Sequence, residues 1–147
     1  MSNGVALIEN LSLWAAQDAL MVALAAQEVL QTAEVAIDLG FPVNVQPDHV
    51  WIEGGATGKL DNELSGGSPT DETFHFSLFV FTQRAEEYVE VRDRLVTFAG
   101  AVGNALKSDT FAAAVPAWSI GAYTLDAGTD GTNRQLCLEL VVECRCW

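Results

Sequence analysis

Apolar positions recur along this chain with two different periods. In FHFSLFVFTQ, residues 74–83, Phe74, Phe76, Leu78 and Val80 alternate with His75, Ser77, Phe79 and Phe81. A period of two predicts a strand, and apolar residues on both sides at its end place it in the centre of a sheet. QLCLELVVECRCW, residues 135–147, alternates as well. Leu136, Leu138, Leu140, Val142, Cys144 and Cys146 form one apolar face; Gln135, Cys137, Glu139, Val141, Glu143, Arg145 and Trp147 form a mixed one. In 118–125, Trp118, Ile120, Ala122 and Thr124 stand against Ser119, Gly121, Tyr123 and Leu125, and the Asp- and Gly-rich DAGTDGTNR, residues 126–134, predicts a turn into the last strand.

Helical spacing governs two other stretches. Over 85–107, Tyr88, Val91, Leu95, Phe98, Val102 and Leu106 recur at three and four, with early glutamates suiting the positive end of the helix dipole. Residues 5–39 lack proline and glycine and are rich in Ala, Leu, Gln and Glu. Leu11, Trp14, Asp18, Met21, Ala25 and Val29 trace one stripe, Leu13, Leu20 and Leu24 widen it, and a break is expected near Asn10–Ser12. Gly40 and Pro42 read as the helix stop. Val43–Val45 and His49–Glu53 read as short strands, and 108–115 as a connector with one helical turn at Thr110–Ala114. Residues 54–72 hold five glycines and a proline with no periodic apolar face, which predicts a long flexible loop. The sum is an α+β fold in a single domain spanning 1–147: a mostly antiparallel or mixed sheet of four to five strands with two main helices packed on it.

Charge narrows the function. Among 147 residues, 20 are acidic and 7 basic, for a net charge of −13. Binders that hold DNA or RNA through phosphates carry the opposite sign, and an anionic membrane surface is disfavoured for the same reason. MSNGVALIEN lacks a basic n-region, and the apolar run Ala19–Ala26 is far short of a membrane span, so neither export nor insertion is expected. An odd cysteine count in such a chain predicts free thiols, which makes the Asn10-Leu11-Ser12 sequon silent.

Candidate chemistry is sparse. The three cysteines do not converge, because Cys137 faces away from Cys144 and Cys146, and a lone C-x-C is a weak metal signal. GGATGKL fails as a phosphate loop: aligning Gly58-Lys59 puts Glu53 at the first glycine and Leu60 at the metal-binding hydroxyl. His49 and His75 lack metal-ligand spacing, and no nucleophile elbow or calcium loop is present. Asp61 with Glu63, and Glu86 with Glu87, read as solvated charge. Arg92 and Arg94 either pair locally with Glu87 and Glu90 or meet a neighbouring subunit. No catalytic residue, metal or cofactor is expected.

The run VFTQRAEEYVEVRDRLVTFAGAVGNAL (80–106), the connector with Phe111 and Val115, and WSIGAYTLDAGTDGTNRQLCLELVVECRC that follows resemble the tail terminator, or tail completion, proteins of long-tailed bacteriophages, especially those infecting actinobacteria. The shared features are a strand ending in an aromatic, an R-D-R…A-x-A-V…A-L helix and a closing glycine-containing hairpin, over roughly 12–147. The long loop at 54–72 departs from the pattern in detail. The resemblance implies a non-enzymatic virion protein, assembled in the host cytoplasm, at the head-proximal end of the tail. It implies a homo-oligomeric ring, of six subunits, that stops tail-tube polymerisation and offers a joint to the head-closure or neck protein. DNA would pass its lumen without specific binding, and an acidic lumen would repel phosphates. Lys59, Asp61, Glu63, Arg92, Arg94 and Trp147 are the candidate contacts to a neighbouring subunit or the tube. The alternatives are another connector, neck or tail-tube subunit of the same particle, or a small ligand-binding domain with a concave pocket.

Overall fold

The computed structural model describes residues 9–61 and 71–147. Helix α1 (Ser12–Ala25) begins after Leu11, whose extended backbone supplies no side-chain cap. The cap comes from elsewhere in the chain. The Glu72 carboxylate, buried under the helix end, accepts from the backbone N–H groups of Ser12 at 2.6 Å and Leu13 at 3.4 Å. Two orphan donors and the positive end of the helix dipole are thereby satisfied by one remote side chain. At the other end the side-chain amides of Gln27 and Gln31 donate to the carbonyls of Ala23 and Ala25, and the chain breaks into a short second helix, α2 (Glu28–Thr32).

The expected helix to residue 39 stops early. Val35 N–H donates to Leu30 O at 2.9 Å and Glu34 N–H to Gln31 O at 3.0 Å, with Glu34 at φ 55°. This is a Schellman stop with glutamate in the left-handed position that glycine usually fills. Residues 36–39 then form strand β1 (Ala36–Leu39), and Gly40, the expected stop, ends a strand instead. Relieving the left-handed strain with Glu34→Gly is expected to stabilise the fold by about 0.5–1 kcal/mol, the steric cost outweighing the added chain entropy. Urea unfolding of the two proteins checks this.

The other elements are β2 (Asp48–Asp61), β3 (Asp71–Arg84), helix α3 (Tyr88–Leu106), short helix α4 (Asp109–Ala114), β4 (Ala117–Thr129) and β5 (Arg134–Cys146). The sheet order is β1-β2-β3-β5-β4, with β1 parallel to β2 and every other pairing antiparallel. This is the α+β architecture expected, with five strands and two main helices.

Two expected features differ. Residues 54–61 and 71–72, read as loop, are strand: Ala56 pairs with Phe76, Gly58 with Phe74 and Lys59 with Thr73. Gly54 and Gly55 fall in the register shift between Ile52 and Ala56, and a side chain at Gly58 would sit 3.0 Å from Phe74 Cβ. The glycines thus mark a bulge and a close approach within a strand, and β3 supplies the pairing that propensity alone withholds. Residues 62–70 lie outside the described residues. Val43–Val45 forms no strand; between Pro42 and Pro47 the chain returns irregularly from β1 to β2, with Phe41 edge-on to Trp51 at 5.7 Å.

The core lies between the helices and one sheet face. Phe74, Phe76, Leu78 and Val80 of β3 and Leu136, Val142, Cys144 and Cys146 of β5 meet Val91, Leu95, Phe98 and Val102 of α3. The α3 stripe and the apolar face of β5 are as the periodicity predicted. On α1 the phase is different: Ala16, Gln17, Leu20, Ala23 and Leu24 face the core, so much of the expected stripe faces out. An alanine- and leucine-rich helix offers apolar residues on every side, and periodicity alone cannot select the buried one.

Candidate functional site

The inner face of the sheet continues past the helices. A bulge between Ile120 and Ala122 inserts one residue into β4 and reverses its phase. Trp118, Ile120, Tyr123, Leu125 and Ala127 therefore share a face, opposite Cys144, Val142, Leu140, Leu138 and Leu136. Simple alternation had put Ile120 and Tyr123 on opposite sides. The result is an uncharged strip that extends the core face of β5 onto the edge strand. The helices do not cover it: Ile120 is 40% exposed, Tyr123 74% and Leu125 43%. A two-layer fold covers its apolar sheet face, and this one is bare over β4 beyond Trp118, which packs against the core.

A second exposed surface lies on α1. Opposite its buried side, Trp14, Val22 and Ala25 are exposed around Asp18, the only charged residue of the helix, and Val22 is 60% exposed, while Met21 packs partly against the core. Sequence periodicity had marked most of these residues as core.

The outer sheet face carries a groove of about 530 Å³. Two transverse rows floor it. Thr57, His75, Glu143 and Ser119 are partners in register across four strands, and so are Lys59, Thr73, Arg145 and Ala117. The Glu143 carboxylate lies where a side chain at Gly121 would clash, at 2.5 Å. Among the described residues no hydrogen bond joins His75 to Glu143 or Ser119, so the row is not an assembled acid–base relay. His49 is buried and occupied: Nδ1 accepts from Gln46 N–H at 2.9 Å and Nε2 meets the Asp38 carboxylate at 2.6 Å.

The cysteines lie as the strand reading placed them, Cys144 and Cys146 in the core and Cys137 on the other face. Burial, with the charges of Asp126 and Glu139, pushes the Cys137 thiol up to about 11; burial and neighbouring Cys146 push Cys144 up to about 12. Protonated thiols are poor nucleophiles and poor metal ligands. No group of three or more metal-ligating side chains is present among the described residues. Because the unfolded chain ionises these thiols first, their contribution to stability is constant below about pH 8.5 and falls above it. Urea unfolding at pH 7.5, 9 and 10 is expected to show a decline of up to about 1.4 kcal/mol per pH unit from Cys144, and Cys144→Ala should remove that part of the slope.

The candidate contact residues are scattered. Lys59 is exposed on the outer groove, Asp61 ends β2 opposite Asp71, and Glu63 lies outside the described residues. Arg92 meets Asp93 at 3.2 Å on the surface. Trp147, 65% exposed, has the Arg145 guanidinium 5.4 Å from its ring centre. Arg94 is turned inward and pairs with neither Glu87 nor Glu90. Its Nε and Nη2 donate to Asp48 at 3.2 and 2.6 Å, and the same carboxylate takes Arg84 and, at 2.8 Å, the Thr82 hydroxyl. Burial raises the Asp48 carboxyl, but the hydrogen bonds from Arg94 and Thr82 and the two guanidinium charges outweigh it and hold the group below its usual range. Nothing local marks this node, since Arg94 and Asp48 are 46 residues apart in sequence.

No protein-family model and no curated protein matches the chain. Among solved structures, it is similar to a chain from the virion of the native gene transfer agent (GTA) particle, with a TM-score of 0.59 and 17% identity, over 88% of this chain and 92% of that one. At that identity the likeness establishes a shared fold, over nearly the whole length of both chains.

Proposed function

We propose that this chain is a virion structural protein of a phage-like particle, and within it a tail terminator: a ring that caps the tail tube, ends its polymerisation and presents the joint to the head. The bare apolar face of β4 carries this reading, because an uncharged strip continuous with a core is built to be covered by another chain. The fold shared with a GTA virion chain supports it, and so does the resemblance in sequence to tail terminators. A net charge of −13 per copy suits a lumen that DNA must cross without being held. Ring, tube and neck contacts are the partners this reading requires, the ring having six copies.

Tube polymerisation tests it. Tail-tube protein is polymerised with increasing amounts of this chain, and tube lengths are measured by electron microscopy. A terminator shortens the tubes at substoichiometric ratios. Co-polymerisation of this chain into long tubes would identify a tube subunit, and unchanged lengths at every ratio would overturn the terminator reading.

A further inference from the structure

We propose that the outward stripe of α1 in one copy covers the bare inner face of β4 in the next. The inference rests on the ring reading, whose subunit contact it supplies.

Charge selects the occupant. Two copies that each carry −13 repel except where neither presents charge. The inner face of β4 carries none, and α1 carries only Asp18. An acidic copy can approach another at these two surfaces with Asp18 as the one charge at the contact.

Packing agrees. Within the chain, the sheet's apolar face is covered by helices over β3 and β5 and bare at β4. A neighbour's α1 would complete the missing layer with the same helix-on-sheet packing. Val22 and Ala25 would meet Ile120 and Leu125. The one polar group on each side then has a partner: the Tyr123 hydroxyl, at a residue 74% exposed, donates to the Asp18 carboxylate. The two patches are different surfaces of one chain, so the contact is heterologous. It repeats from copy to copy and generates a ring wherever the rotation closes.

The test uses full-length chains carrying Val22→Cys or Tyr123→Cys and a short bismaleimide. The parent protein is the control for its own thiols, which are slow because they are protonated and sheltered. Both positions are well exposed, so unchanged melting temperatures are expected. The proposal predicts covalent dimers when the two variants are mixed and none above the parent level with either alone. It also predicts that Val22→Glu and Tyr123→Glu each weaken self-association by at least about a hundredfold, since each buries a carboxylate. Cross-linking of the Tyr123→Cys variant to itself would overturn it in favour of a two-fold contact between β4 strands. Rings that form without the mixed cross-link and survive both glutamates would overturn this contact and leave the ring reading standing. Monomers at every concentration, with and without tail tubes, would overturn both.

Discussion

Replacing Asp48 with alanine is expected to destabilise the fold by about 3 kcal/mol, measured by urea unfolding at pH 7. The carboxylate is 7% exposed and joins the start of β2, the end of β3 and helix α3 through Thr82, Arg84 and Arg94. Without it two guanidinium groups lose their counter-charge, and the buried Thr82 hydroxyl loses its acceptor. The arginine side chains are 28% and 33% exposed, so water recovers part of the loss, which places the cost at the lower end for a broken buried pair. The acid limb provides a second reading. The folded carboxyl lies below its ordinary value, so its stabilisation is complete above about pH 4 and is lost as pH falls through the folded value. Asp48→Asn should flatten that limb.

Phe98→Ala is expected to cost about 4 kcal/mol. Its ring is 2% exposed at the centre of the α3 stripe, and truncation leaves a cavity between helix and sheet. The Arg94 guanidinium lies 5.1 Å over the same ring, so Phe98 also holds the arginine that Asp48 binds. The Asp48→Ala and Phe98→Ala effects should therefore fall short of additive in the double variant by more than about 0.5 kcal/mol. Full additivity would show that ring and ion pair act separately.

What was legible in the sequence was what alternation and helical spacing encode on their own. The apolar face of β5, the central position of β3 and the stripe of α3 needed no knowledge of the rest of the chain. The misreadings turn on residues whose conformation or pairing the local pattern does not encode. Glu34 takes a left-handed conformation without being glycine, so the helix stop carried no signal. The glycines of 54–61 belong to a strand because β3 pairs with them. The bulge at Gly121 moved Tyr123 to the face of Ile120, and with it created the bare strip on which the functional reading depends. Asp48 and Glu72 were two acids among 20, and only the fold shows that one binds two arginines and the other caps α1. Of the candidate contacts Lys59, Asp61, Glu63, Arg92, Arg94 and Trp147, only Trp147 is apolar, whereas the surfaces left uncovered on β4 and α1 are mostly apolar.

In the proposed role, this chain closes the end of a tail tube. The most direct test is negative-stain microscopy of preformed tail tubes mixed with the purified protein. A ring of added density at one end of each tube, the same end throughout, is the expected result. Tubes with bare ends, or decorated along their length, at concentrations well above that of tube ends would contradict it.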